Sequence, residues 1–149
     1  MKLEQQVASL ELSKRLKELG VRQESYFCWQ PVGKVVEGGI IEDTGTCRIV
    51  RYADQRGAYA YSVTFAAFTV AELGEMLPNP ILGDYGADFY SPWSKKHPAG
   101  WSCAYWTVGP NHSATIHKQF VADTEANARA KMLVYLLEQG ILPKVEGEV

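Results

Sequence analysis

Residues 101–143 read WSCAYWTVGPNHSATIHKQFVADTEANARAKMLVYLLEQGILP, two strand-like runs followed by a helix-like one. WSCAYWTVG at 101–109 and SATIHKQFVAD at 113–123 are rich in aromatic and β-branched residues. They flank Gly109-Pro110-Asn111-His112, a tetrapeptide of turn-forming types, so the pair predicts a β-hairpin. A helix near 125–139 follows. Ala126, Ala130, Leu133, Val134 and Leu137 recur on one face, Thr124 is placed as N-cap, Gly140 as left-handed stop, and Pro143 sits beyond. Together these form a β-β-α unit in which the small Ala126 and Ala130 let the helix lie close on the sheet. Strand alternation then directs Trp101, Cys103 and Tyr105 to one face and Ser102, Ala104 and Trp106 to the other, away from the helix.

Upstream of this unit, FTVAELGEMLP at 68–78 carries a capping box at Thr69 and Glu72, with Phe68 and Leu73 at the staple positions. Pro78 and Pro80 end that helix within about three turns. From Glu24 to about Phe68 the pattern changes to SYFCWQPV, KVVEGGIIE, TCRIVRYA and AYAYSVTF, read as strands that reverse at Gly38-Gly39 and at Asp43-Thr44-Gly45. Pro31 forfeits a ladder hydrogen bond, which places its strand at a sheet edge or ends it there. At the start of the chain, Val7, Leu12, Leu16 and Leu19 mark an apolar stripe of a helix over 4–19, closed by Gly20 with Val21 folding back on Leu16. Residues 79–100, broken by Pro80, Gly83, Gly86, Pro92 and Pro98, read as a structured loop with one short strand near Asp88–Tyr90.

Helices separated by strand-rich stretches, without βαβ alternation or internal repeats, predict an α+β domain with a mainly antiparallel sheet. It spans residues 1–143, and 144–149 form a frayed tail. A chain of 149 residues with 46% hydrophobic and 21% charged residues buries a sufficient core without metal or disulfide staples. The formal charge of -2 removes the broad basic field of a duplex-DNA binder. Cys28, Cys47 and Cys103 are an odd set without CxxC spacing, which fits a reducing cytoplasm rather than a disulfide framework. No window approaches the roughly 18 apolar residues of a membrane span, and the amphipathic start is unlike a signal peptide. The expected location is a bacterial cytoplasm, on the resemblance that follows.

SKRLKELGVRQES at 13–25, FTVAELGEMLP at 68–78 and TEANARAKMLVYLLEQGIL at 124–142 resemble small uncharacterised proteins encoded by bacterial phages and prophages. These motifs are helices and caps rather than a catalytic signature. The resemblance implies an origin in phage or prophage gene expression and carries no reaction, cofactor or site residue onto this chain.

Chemistry-bearing patterns are sparse. Cys103, His112 and His117 share the hairpin, but C-x8-H-x4-H lacks the second close ligand pair of a structural zinc site. There is no GxSxG, HExxH, GxxxxGK[ST] or GxGxxG, and Glu42-Asp43 or Asp84 with Asp88 read as solvated turn acids. No cofactor is expected. The distinctive feature is aromatic density at 85–106, where Tyr85, Phe89, Tyr90, Trp93, Trp101, Tyr105 and Trp106 are interleaved with Lys95, Lys96 and His97. Flat rings beside lysines stack a base or grip a partner surface. In the plainer reading, Phe89, Trp101 and Tyr105 close the core and Lys95-Lys96 is a solvated turn. The expected contact residues are Tyr90, Trp93, Lys95, Lys96, His97 and Trp106. The expected role is a non-catalytic accessory protein that binds a host protein. Two alternatives are a nucleotide- or small-ligand-sequestering protein and a small hydrolase.

Overall fold

Helix ends are set locally, and here they follow the chemistry of their caps. The computed structural model describes residues 1–39, 41–51, 64–82, 89–108, 111 and 113–142, without the side chains of 34, 35, 41–43, 82 and 89–91. Among these, α1 (Leu10–Glu18) ends in the expected Schellman arrangement: the Val21 N–H donates to the Leu16 carbonyl and the Gly20 N–H to the Lys17 carbonyl, with Gly20 at φ +86°. The helix starts later than the 4–19 expected. Ser9 caps it by accepting from the Leu12 N–H, and Val7 is instead drawn into a bridge with Thr69, leaving only a 3-10 turn at Leu3–Gln5.

The second helix, α2 (Val70–Met76), has both arms of its capping box in place between Thr69 and Glu72. The last helix, α3 (Glu125–Glu138), is capped by Thr124 and closed by Gly140, where the Ile141 N–H returns to the Leu136 carbonyl.

Two antiparallel sheets complete the α+β architecture. The first has the order β2-β1-β3, from β1 (Phe27–Val35), β2 (Ile41–Arg51) and β3 (Phe65–Ala66). The second has the order β4-β5-β6-β7, from β4 (Ile81–Leu82), β5 (Phe89–His97), β6 (Gly100–Val108) and β7 (Ala114–Ala122). β6, β7 and α3 form the expected β-β-α unit, and α3 covers one face of this sheet. One apolar core joins the elements through Leu16, Phe68, Leu73, Tyr105, Met132 and Leu136.

Three expectations are corrected. Asp43-Thr44-Gly45 is not a reversal, because β2 runs straight through it. The extra residues are absorbed by a bulge opposite Val32, with Gly45 at φ +74° and the Thr44 hydroxyl donating to the Val32 carbonyl at 2.7 Å. Pro31 lies in a central strand rather than at an edge. The Phe27 carbonyl accepts from Ala67, so alternate residues of β1 turn their backbone toward β3, which pairs only with Cys28 and Trp29 and has ended before Pro31.

The third correction is β5, a nine-residue strand where a loop was expected. Pro92 is tolerated for the same reason as Pro31. It faces Tyr105, its nitrogen turns toward β4, and β4 pairs only with Phe89 and Tyr90. Lys95 and Lys96 are consequently strand residues, not a turn. Expectations placed on Tyr85, Asp84, Asp88, His112 and 144–149, and on most of AYAYSVTF, lie outside the described residues.

Candidate functional site

The face of the second sheet turned away from α3 is built by register. Trp93 is paired with Ala104, Lys95 with Ser102, and Trp106 follows on the same face of β6. The Trp93 and Trp106 rings meet edge to face, with centroids 6.4 Å apart and planes at 82°. Lys95 Nζ stands 4.9 Å from the Trp93 centroid, a cation–π contact made because residues two apart in a strand share a face. Both rings are half-buried, and Trp106 is packed against its neighbour rather than fully exposed.

Beneath this layer Ser102 and Ala104 have no exposure. The Ser102 hydroxyl and the Trp93 Nε1 are buried without a hydrogen-bond partner among the described residues. Farther across the face, β7 presents Ile116 at 48% and Val121 at 37% exposure. Strands β5, β6 and β7 hold no Asp or Glu.

The expected contact residues therefore divide. Trp93, Lys95, His97 and Trp106 fall on this face by strand parity. Lys96 pairs with Trp101 and belongs to the α3 side, so adjacent lysines project in opposite directions. The His97 ring accepts from the Ala99 N–H at 3.1 Å within the β5–β6 turn. Tyr90 contributes backbone to β5, and its side chain is outside the described residues. Tyr105 is core, with its hydroxyl donating to the Pro78 carbonyl at 2.7 Å, and Trp101 is half-buried against the core.

On the opposite face a polar cluster links sheet to helices. Ser94 donates to Glu125 Oε1 at 2.6 Å, and Arg129 Nη2 reaches both Ser94 Oγ at 3.0 Å and Glu125 Oε1 at 2.8 Å. Nη1 reaches the Val70 carbonyl at 3.2 Å. Cys103 lies beside this cluster, its thiol pushed up to about 11 by burial, against the opposing pull of Arg129. The Glu125-to-Arg129 spacing of four was available in the sequence as a helical ion pair, but Ser94 joins it only through tertiary packing. Cys103 and His117 do not share a metal-ligand cluster among the described residues.

Concavities lie elsewhere among the described residues. One of about 320 Å³ is formed between Gln6, Val70, Trp101 and Asp123. Another of about 400 Å³, mostly apolar, is formed by Val21, Met76, Leu133, Leu137 and Leu142. No helix among the described residues is long and apolar enough to cross a membrane. Comparisons with protein-family models, with curated proteins and with solved structures find no match to this chain.

Proposed function

We propose that this chain is a non-catalytic accessory protein of phage or prophage type, acting in the bacterial cytoplasm by binding a host protein through the Trp93–Trp106 face. The observation that carries the reading is the edge-to-face pair of half-buried indoles Trp93 and Trp106, with the Lys95 ammonium over Trp93, on the sheet face opposite α3. Two further features support it. Tryptophans are enriched where protein surfaces meet, and two stand edge to face here. Exposed Ile116 and Val121 extend the apolar area, and the absence of carboxylates from β5–β7 favours an acidic partner surface.

The test is mass spectrometry of material retained from host lysate by the wild-type chain and by the combined variant Trp93→Ala, Trp106→Ala, Lys95→Ala. A partner retained by the first and lost from the second, with the variant still folded by circular dichroism, supports the reading. A partner retained equally by both sinks it. The concavity beside Trp101 favours a second reading, sequestration of a small planar ligand. That reading predicts small molecules in the same eluate and a higher Tm when they are added back.

A further inference from the structure

β7 ends the second sheet, and its outer edge has no strand beside it among the described residues. Which backbone groups face outward follows from two contacts. A side chain at Gly100 would collide with the Ala122 carbonyl, so that carbonyl points inward to β6, while the Val121 carbonyl accepts from Lys131 Nζ at 3.3 Å and points outward. Alternation, with the bulge between Tyr105 and Trp106 taken into account, adds Gln119, Ile116 and Ala114 to the outward set. Their side chains lie on the tryptophan side of the sheet.

Long edge strands with exposed apolar residues are templates for another strand unless charges or coverings blunt them. This edge also has a basic wall. Lys118 Nζ is held 5.3 Å from the Phe120 ring and 5.0 Å from the Tyr135 ring, and Lys131 stands on the same flank of α3. The nearest carboxylate in sequence, Asp123, accepts from the Thr124 N–H and Asn127 Nδ2 at the start of α3 and stays within electrostatic reach of Lys131, so Lys118 is the main cation of this wall. A second copy of β7 would bring Lys118 and Lys131 against their equivalents, which disfavours self-pairing.

We propose that β7 receives an extended acidic segment of the partner protein, which adds as a further strand between the β7 edge and α3. Its backbone takes the outward groups of Ala114, Ile116 and Gln119 and the Val121 N–H, and its carboxylates meet Lys118 and the Lys131 ammonium at the Val121 carbonyl. The inference rests on the binding reading only in making the partner a protein; the edge adjoins the tryptophan face at Ile116 and Val121, and it is tested through its own backbone groups and lysines.

The experiment titrates the isotope-labelled full chain with a blocked octapeptide of Val-Glu repeated four times, followed by amide shifts and hydrogen exchange. Shifts and new protection at Ile116, Gln119 and Val121 are expected. The combined variant Lys118→Glu, Lys131→Glu should weaken binding about tenfold. The same peptide N-methylated at alternate residues should not bind, a result that holds even if the charge variant fails to fold. Three outcomes overturn the inference: no response at these amides, equal binding of a Val-Lys octapeptide, or a peptide-free dimer with the edge already protected. The lysate test of the tryptophan variant is unaffected by any of these, so the two readings fail separately.

Discussion

The Arg129 guanidinium, which donates to the Val70 carbonyl, occupies the space that a side chain at Gly74 would need. In an exposed helix, Gly→Ala stabilises by about 1 kcal/mol. Here Gly74→Ala displaces Nη1 from the Val70 carbonyl and disturbs bonds to Ser94 and Glu125, and hydrogen bonds to charged groups contribute about 1.5–3 kcal/mol. The expected net result is destabilisation by about 1 kcal/mol. With Arg129→Ala already present, Gly74→Ala should reverse sign and stabilise. Urea unfolding of the four proteins in this cycle decides it, and an unchanged sign would refute the steric account.

Tyr105 connects the sheet core to the end of α2 through its bond to the Pro78 carbonyl. Tyr105→Phe keeps the ring and removes the donor, so stability should fall by about 1 kcal/mol with an unchanged denaturant slope. Tyr105→Ala also empties a site with no exposure and should cost about 3–5 kcal/mol. Equal losses for the two variants would show that the hydroxyl, not the ring, carries the effect.

The local features of the fold were legible because each is decided within one or two turns of chain. The Thr69–Glu72 box, the Gly20 and Gly140 stops and the alternation of β6 all stand where the sequence places them. What was illegible depends on where a neighbouring strand ends. Pro92 reads as a breaker until β4 is seen to stop at the pair formed with Tyr90, and the same logic hides Pro31 inside β1. Trp93 and Trp106 stand out by composition, and only the register puts them side by side. Ser94 gives no signal, since its partners come from a helix more than thirty residues later.

Alkaline stability should report Cys103. Burial raises its thiol from near 9 to about 11, and burial also raises the Tyr105 phenol. Both groups keep their protons in the folded chain at pH values where the unfolded chain has released them. The Cys103 contribution is therefore fully present below pH 9 and is lost as pH rises through about 11, whereas the Tyr105 contribution is lost at higher pH. Denaturation midpoints should fall between pH 9 and 11, by an amount on the order of 2 kcal/mol. Cys103→Ala should remove the earlier part of that decline and leave the later part, which belongs to Tyr105. A decline identical in both proteins would exclude the thiol.

Glu72 ties the start of β1 to the start of α2. One oxygen accepts from the Thr69 N–H at 2.7 Å, its hydroxyl at 2.9 Å and the Ser25 hydroxyl at 3.0 Å, and the other accepts from the Tyr26 N–H at 3.1 Å. Thr69→Ala removes the hydroxyl that accepts from the Glu72 N–H, the ordinary loss of a cap, and should cost about 1 kcal/mol. Glu72→Ala removes the acceptor for every one of those donors at once, so it should cost about 2–3 kcal/mol. It should also raise the hydrogen-exchange rate of the Tyr26 and Thr69 amides, whereas Thr69→Ala should leave the Tyr26 amide protected. If the threonine variant exposes Tyr26 as much as the glutamate variant does, the carboxylate is not the junction between strand and helix, and the capping hydroxyl must hold both.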